Sequence, residues 1–395
     1  MRAISLVVVC VALCVSANGA LSQTALPQIA QSPVRQQILP SGAFPGPNEI
    51  WKLPDRNRVN EGTVTVITAP AGGATSVFGS DMARVLDDDA SIRVLPILGK
   101  GPVRNVTDIL YLKSIDMGAV AADVPEFYRL QYGIPDIASK LRYITKLYHN
   151  ELHVIANRSI KSIFDLQGKR VVSAVDVGYY SAKVIFSRLG IKANFEYNID
   201  DGRAIQKIVD GEADAYITST GKVFSQARNI KNENRALHLV PIEYDSRLQD
   251  MYLPTTLSAE DYPNLLSPGE TIDTIATSVL LVSFDWPENS ERYNRVARFV
   301  DAFFSKIDEF RKPPRHPKWN EASISAVIPG WTRFKAADDW LIQHNLSPST
   351  QAAEIQKLRF NQFLSERGAA LPSGPVDRDE LYRRFQEWQK QKDRP

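Results

Sequence analysis

Two stretches of this chain alternate short apolar strands with amphipathic helices, and this alternation limits the possible folds more than any other feature. In the first stretch, strands are predicted at residues 63–68, 92–98 and 117–120, and helices at 77–86, 103–112 and 125–131. In the second, strands are predicted at 171–175, 195–197 and 213–217, and helices at 182–189 and 203–209. Such alternation is typical of a parallel or mostly parallel sheet covered by helices.

Longer elements lie between and after these stretches. An extended pair is predicted at residues 142–148 and 152–157, and an apolar strand at 276–282. A long helix is predicted at 290–311, because apolar residues recur on one face from Val296 to Ile307. Two further helices are predicted at 350–366 and 377–391.

The N-terminal region has the features of a secretory signal. Arg2 supplies a positive charge, and residues 4–15 form an apolar run too short to span a membrane comfortably. Residues 23–60 are rich in Pro, Gln, Ser and Asn, which predicts an irregular arm. No second apolar run approaches membrane length, so we expect a soluble, exported mature protein.

Charge and cysteine content exclude several classes of function. The 395 residues include 47 basic and 45 acidic ones, and this balance gives no support for nucleic-acid binding. Both cysteines, Cys10 and Cys14, lie inside the predicted signal. The mature chain would therefore have no disulfide, thiolate metal site or cysteine nucleophile, which fits a bacterial periplasm.

Residues 159–172 combine a helix cap, a helix stop and the start of a strand. Ser162 can cap a short turn, and Asp165 three residues later makes a carboxylate variant of the capping box. Gly168 can take the left-handed conformation that ends the turn, and a buried strand begins after it. This segment resembles the entry to the second lobe of type II periplasmic binding proteins.

Further segments resemble the TAXI family of solute-binding proteins, which serve TRAP-type transporters. The segments are residues 67–74, 100–105, 115–123, 141–155 and 208–216. They follow the family's order and spacing, and the resemblance covers about residues 61–345. It implies an α/β fold with two type II periplasmic-binding-protein-like lobes, a hinge and a central cleft.

The resemblance also implies a domain organisation. We predict lobe I at residues 61–158 and 276–345, lobe II at 159–275, and a C-terminal helical extension at 346–395, after a signal at 1–22 and an arm at 23–60. The expected partners are a small carboxylate-bearing solute, which is an organic anion or an amino acid, and TRAP membrane subunits. We expect a periplasmic monomer with no cofactor, no metal and no enzymatic activity.

The predicted ligand-binding residues lie at strand ends and helix starts that would face the cleft. They are Gly72, Gly73, Ala74, Thr75, Asn105, Asp123, Tyr148, Gly178, Tyr179, Tyr180, Ser181, Ser219 and Thr220. The Gly72-Gly73 turn precedes a helix, whose positive N-terminal end suits a carboxylate, although a tight turn alone explains it equally well. Ser219 and Thr220 end a second-lobe strand, where open α/β sheets bind ligands.

Several of these positions leave alternatives open. Asp123 can receive an ammonium group or cap the next helix. Gly178, Tyr179, Tyr180 and Ser181 are predicted as a loop that either contacts ligand or packs on the lobe. This loop departs from the family's glycine- and serine-rich pattern, so the ligand's identity is not inherited.

The sequence also bears on a metal site and on a sensor role. His149 and His153 flank a glutamate, but a strand-and-turn setting would not place them on one helix face, so a metal site is not expected. An exported sensor or interaction protein with the same fold is the alternative to a transport protein, because of the altered loops, the arm and the extra helices. Neighbouring genes would separate the two.

Overall fold

The computed structural model describes residues 60–87, 92–174, 177–232 and 235–347, together with residues 384, 385, 387 and 388. Within these ranges the chain forms a mixed α/β fold of two lobes. The predicted signal, the arm up to residue 59 and nearly all of the predicted extension after residue 347 lie outside them. No helix in the described part combines the length and apolarity needed to cross a membrane.

The first lobe is built on parallel strands joined by helices. Its elements are β1 (Thr63–Ile67), α1 (Ala74–Leu86), β2 (Arg93–Ile97), α2 (Pro102–Tyr111), β3 (Met117–Ala121) and α3 (Val124–Tyr132). β1 lies between β2 and β3 and pairs in parallel with both. Every strand and helix predicted from the first alternating stretch overlaps one of these elements, so that prediction is confirmed.

A long strand then leads into the second lobe. The elements are β4 (Leu141–Asn157), β5 (Arg170–Ala174), α4 (Val177–Leu189), β6 (Asn194–Ile199), α5 (Asp201–Val209), β7 (Ala215–Thr220), α6 (Ser225–Arg228), β8 (Leu237–Leu239) and β9 (Leu253–Ser258). β5 pairs in parallel with β6 and β7. The short strands β8 and β9 were not predicted.

Two long antiparallel strands connect the lobes. β10 (Thr271–Phe284) pairs with β4 over most of its length. β10 also pairs with β9 near its start and with β3 near its end, while the second half of β4 pairs with β7 and β8. The resulting 10-stranded sheet has the order β2-β1-β3-β10-β4-β7-β5-β6, with β8 and β9 off this path. β4 and β10 therefore connect the two lobes, and we call them the hinge strands.

The chain returns to the first lobe after β10. The remaining helices are α7 (Glu291–Ser305), α8 (Ile307–Phe310) and α9 (Lys335–Gln343), with a 3-10 turn at Pro317–Glu321. Val296, Phe299 and Phe303 of α7 are fully buried, as their helical spacing predicts. They pack in an apolar cluster with Phe78 of α1. This cluster anchors the segment after β10, which we call the return segment, to the first lobe.

Three predicted elements were wrong in their extent. The extended pair at 142–157 is one strand of 17 residues, because His149, Asn150 and Glu151 keep pairing with β10 instead of turning. The helix at 290–311 is divided at Lys306, which leaves the helical region at φ −109° and ψ 15°. The loop predicted at 178–181 is the first turn of α4.

Candidate functional site

A cavity of about 170 Å³ lies between the two lobes, and we call it the cleft cavity. It is lined by Ala69, Gly73, Ala74, Thr75, Pro102, Asn105 and Ala119 of the first lobe, by Tyr148, Asn150 and Val279 of the hinge strands, and by Ala174, Asp201, Thr218, Ser219, Thr220 and Phe224 of the second lobe. A cavity of about 150 Å³ holds a molecule the size of benzene. The cleft cavity is therefore sized for a small organic molecule.

The starts of two helices form the first-lobe wall. Gly72 turns the chain before α1 with a φ of 89°, a conformation that glycine adopts readily. Gly73 and Gly101 occupy the N-cap positions of α1 and α2, and neither helix has a side-chain cap. Because uncapped helix N-termini carry a positive partial charge, this wall favours an anionic group.

Asn105 holds this wall in place. Its side chain is almost fully buried, and Nδ2 donates to the carbonyl oxygens of Thr68 at 3.1 Å and Ala119 at 2.9 Å. The amide therefore ties the end of β1 to β3. Its Oδ1 atom has no hydrogen-bond donor among the described residues.

Asp201 gives the second-lobe wall an opposite charge. It is the first residue of α5, and its Oδ1 accepts a hydrogen bond of 2.5 Å from the Tyr216 hydroxyl. Burial raises the pKa of Asp201, while the hydrogen bond from Tyr216 opposes this rise. Among the described residues that line the cleft cavity, Asp201 is the only acidic one and none is Lys or Arg. The cavity thus has an anion-favouring wall and a cation-favouring wall.

The hinge strands supply a third wall, which contains Tyr148. Its ring is 3% exposed and lies 4.9 Å from the ring of Phe78, measured between centroids. Burial raises the pKa of the Tyr148 hydroxyl, so this group is neutral at physiological pH. Lys318 Nζ lies 5.6 Å from the Tyr148 ring centroid. Tyr148 is therefore a rigid, uncharged surface against which a solute can pack.

Glu151 of hinge strand β4 forms a buried ion pair with Lys318. Lys318 Nζ lies 3.1 Å from Glu151 Oε1, and the backbone N–H of Lys222 donates to Glu151 Oε2 at 2.6 Å. Burial raises the pKa of Glu151, and the charge of Lys318 opposes that rise. The pair connects the return segment, hinge strand β4 and the second-lobe loop after β7.

His153 belongs to a hydrogen-bond chain that reaches the cleft cavity at Phe224. The Tyr262 hydroxyl accepts from the Phe224 N–H at 3.0 Å and lies 2.7 Å from His153 Nε2. His153 Nδ1 lies 2.9 Å from the Glu151 carbonyl oxygen, so the network assigns the proton to Nδ1. Burial lowers the pKa of His153 to about 4, and the ring is neutral. In the part of the chain that is described, no group of three or more His, Cys, Asp or Glu is placed to hold a metal ion.

Asp123 lies away from the cleft cavity, in a buried contact between the lobes. Its Oδ2 accepts from Ser181 Oγ of α4 at 2.7 Å and from the Tyr252 hydroxyl at 2.9 Å. It occupies the N-cap position of α3, but its side chain makes no capping hydrogen bond, so the capping role predicted for it was wrong. Burial raises the pKa of Asp123, and the hydrogen bonds from Ser181 and Tyr252 oppose this rise.

The first turn of α4 also faces this contact and not the cleft cavity. Tyr180 is 1% exposed, and its ring centroid lies 5.9 Å from that of Phe127 in α3. Tyr179 stacks on Tyr197, with centroids 4.0 Å apart. A Cβ atom at Gly178 would lie within 3.0 Å of backbone atoms of β7, so the start of α4 packs directly against that strand.

The predicted site residues therefore fall into two groups. Gly73, Ala74, Thr75, Asn105, Tyr148, Ser219 and Thr220 line the cleft cavity. Gly72, Asp123, Gly178, Tyr179, Tyr180 and Ser181 do not. For all of the second group except Gly72, the physical reason is the packing of α3 against α4, which closes one side of the interlobe space and buries the polar groups there.

Nine of the described lining residues were not predicted, and Asp201 and Asn150 are two polar ones among them. Asp201 lies two residues after the end of β6, so the rule that ligands bind at the carboxyl ends of strands could have found it. Asn150 was hidden because the sequence predicts a turn between two strands, whereas the structure has a continuous strand that aims this side chain into the cavity.

Comparison with solved structures finds distant similarities. The amino acid ABC transporter substrate-binding protein AbpA from Streptococcus pneumoniae, bound to L-arginine, is 14% identical with a TM-score of 0.38, over 70% of this chain and 97% of that chain. The GluR0 ligand-binding core from Nostoc punctiforme, in complex with L-glutamate, is 13% identical with a TM-score of 0.37, over 62% and 93%. XAC2383 from Xanthomonas citri, bound to ATP, is 8% identical with a TM-score of 0.42, over 66% and 89%. A search of curated protein sequences finds no match.

A family model matches a large, continuous part of the sequence. The match covers residues 66–317, which is more than half of the chain. It includes both hinge strands and all three walls of the cleft cavity. The chain therefore belongs to the NMT1-like family.

Proposed function

We propose that this protein is a periplasmic solute-binding protein that encloses a small amino acid, or a similar solute with one ammonium and one carboxylate group, in the cleft cavity. The observation that carries the proposal is the arrangement of charge. Two uncapped helix starts form one wall, and Asp201 on the other wall is the only acidic residue among the described lining residues. A zwitterion complements both walls at once.

The walls also assign positions to the parts of the solute. Its carboxylate would accept hydrogen bonds at the starts of α1 and α2, near Thr75, because the helix ends favour negative charge. Its ammonium group would pair with Asp201. The apolar surfaces of Tyr148 and Phe224 would limit its side chain to a small group.

Capture would proceed by closure of the lobes about β4 and β10. A solute that contacts both walls binds the closed arrangement more tightly than an open one, so it shifts the equilibrium toward closure. Opening must break the buried hydrogen bonds that Asp123 accepts from Ser181 and Tyr252. The contacts of a solute with both walls would therefore stabilise the closed form in addition to these interlobe hydrogen bonds.

The receiver of the closed form would be the membrane subunits of a TRAP-type transporter. A gene for such subunits beside the gene for this protein supports transport. A neighbouring gene for a sensor kinase instead supports the alternative role as a periplasmic sensor.

The test is a thermal-shift screen of the purified mature protein. Amino acids are compared with matched acids that lack the ammonium group, such as glutamate with glutarate and alanine with propionate. We expect an amino acid to raise the melting temperature and its matched acid to have little effect. Asp201→Asn should abolish this preference, because the variant has no charge to pair with ammonium.

A matched control is Asp210→Asn, which removes an exposed carboxylate just after the other end of the same helix. This variant should retain the wild-type preference. The proposal is contradicted if no amino acid or organic acid shifts the melting temperature and mass spectrometry finds no copurified solute. Equal shifts by glutamate and glutarate would contradict the role of Asp201 and leave a general organic-anion site.

A further inference from the structure

A second cavity of about 360 Å³ lies on the other side of the hinge strands, and we call it the rear cavity. Neighbouring residues of the hinge strands face the two cavities in turn. Tyr148 and Val279 line the cleft cavity, whereas His149 and Ser278 line the rear cavity. This follows from strand geometry, in which successive side chains point to opposite faces. The rear cavity is therefore separate from the proposed solute site.

Both lobes contribute to the rear cavity. Ala122, Lys146 and residues 326–330 supply the first-lobe side, and residues 249–253 supply the second-lobe side. Tyr252 belongs to this lining and also donates the interlobe hydrogen bond to Asp123. The cavity is complete only when the lobes have this arrangement.

Lys146 is the rear cavity's uncompensated charge. Asp250, which also lines the cavity, lies 2.6 Å from Arg188 Nη1, and Glu321 lies 2.9 Å from Lys318 Nζ, so both carboxylates already have cationic partners. Among the described residues, no carboxylate lies within 4.0 Å of Lys146 Nζ, and its nearest polar side-chain partner is His149 Nε2 at 3.5 Å. Burial also lowers the pKa of Lys146, and the charge of Glu321 opposes this. A half-buried ammonium group without a carboxylate favours an anionic ligand.

The rest of the lining is mainly apolar. Met251, Leu253, Val327, Ile328 and Pro329 surround the space beside Lys146. Leu253 is 47% exposed and Val327 is 65% exposed, so these side chains present apolar surface at the cavity mouth. An apolar group that covers this surface removes it from water, which is favourable by about 25 cal/mol for each Å².

We propose that the rear cavity binds a small amphipathic monocarboxylate, with its carboxylate on Lys146 and its apolar chain or ring against Met251, Val327 and Ile328. One unpaired cation and one continuous apolar wall match a ligand with one anionic head and one apolar tail. A polyanion does not fit, because Asp250 also lines the cavity. The proposal is independent of the solute proposed for the cleft cavity.

The probe is octanoate, titrated into the purified mature protein by calorimetry, with 1-octanol as the uncharged probe of equal chain length. We expect saturable binding of octanoate and much weaker binding of octanol. Lys146→Met, which keeps the apolar stem and removes the charge, should weaken octanoate binding about tenfold or more. Lys113→Met is the matched control, because Lys113 is exposed and lines neither cavity, and it should bind octanoate like the wild type.

If Lys146→Met does not fold, a second variant still tests the proposal. Val327→Asp places a negative charge at the exposed mouth of the cavity and should also weaken octanoate binding about tenfold or more. Asp201→Asn, which changes the cleft cavity, should leave octanoate binding unchanged. The proposal is overturned if the folded wild-type protein does not bind octanoate. It is also overturned if the folded variants among Lys146→Met and Val327→Asp bind octanoate like the wild type, or if Asp201→Asn alone alters octanoate binding.

Discussion

The two lobes begin with the same plan, a strand followed by a helix, yet the first turns of the two helices have different roles. Thr75 in the first turn of α1 lines the cleft cavity. Tyr180 and Ser181 in the first turn of α4 instead contact Phe127 and Asp123 across the lobe boundary. One helix start is available to a solute, and the other is used to hold the lobes together.

Close packing explains the difference. A Cβ atom at Gly178 would lie 2.4 Å from Ser173 Oγ and 2.5 Å from the carbonyl oxygen of Ile217, so α4 starts directly against β5 and β7. At Gly73 the nearest atom to such a Cβ is Ala69 Cβ at 3.0 Å, and the space beyond is the cleft cavity. The starts of corresponding helices in two similar lobes therefore need not share a function.

The largest expected effect is that of Tyr180→Ala on stability. Removal of this fully buried ring leaves a cavity between the lobes and should lower the free energy of unfolding by about 3–5 kcal/mol. Solute affinity of the folded variant should stay within about twofold of the wild type, because the ring is not part of the cleft cavity. Urea unfolding and calorimetric titration measure the two quantities. The control is Tyr179→Ala, at the half-buried neighbouring residue, which should lower the free energy of unfolding clearly less.

Substitution of Gly73 or Gly178 by alanine should separate the two helix starts. Gly178→Ala forces a Cβ atom against backbone atoms of β7 and should lower the free energy of unfolding by about 3 kcal/mol. Gly73 has a negative φ of −74°, and a Cβ atom there would have only one tight side-chain neighbour. Gly73→Ala should therefore lower the free energy of unfolding by about 1 kcal/mol or less. Urea midpoints compared at constant m-value give both costs. Equal costs would contradict the packing difference argued above.

The interlobe contact should make stability depend on pH through Asp123. Burial raises its folded-state pKa above the ordinary value of 3.8, so the native state holds this proton more tightly than the unfolded state. The stability that Asp123 contributes is greatest below the ordinary pKa, and it is lost as pH rises through the folded-state pKa. The difference in unfolding free energy between the wild type and Asp123→Asn should therefore fall from about pH 4 upward. A difference that is constant with pH would contradict this.

Thr75→Ala should have a small effect on stability, comparable with that of Gly73→Ala. The Thr75 hydroxyl accepts a hydrogen bond of 3.0 Å from the Ala69 N–H, so its loss should cost about 1 kcal/mol. Solute affinity should fall several-fold because Thr75 lines the cleft cavity, which is the reverse of the pattern expected for Tyr180→Ala. If Thr75→Ala leaves the affinity unchanged while Tyr180→Ala lowers it, the roles assigned to the two helix starts are exchanged.

Local signals in the sequence correctly predicted the capped turn at residues 162–168. The Ser162 and Asp165 capping box forms at the 3-10 helix Ile163–Leu166, and Gly168 takes the left-handed conformation with a φ of 73°. These features depend only on residues close in sequence, whose hydrogen bonds and backbone preferences are the same in any fold. The alternation of strands and helices was predicted for the same reason, since burial of one face has a fixed period.

The cleft cavity depended on contacts that are distant in sequence. Asp201 becomes a cavity residue because β6 and β7 bring it opposite α1, and Asn150 because β10 keeps β4 extended through the predicted turn. Asp123 was identified as important, but its partners Ser181 and Tyr252 are 58 and 129 residues away. No local pattern contains that information.

The sequence by itself determined the α/β plan, the order of the elements and the caps that bound them, because these follow from hydrophobic period and local backbone chemistry. Only the tertiary structure decided which helix start faces the cleft cavity and which one joins the lobes. Two similar strand–helix units expose similar groups, and the close packing of α3 against α4 left room for a solute at only one of them.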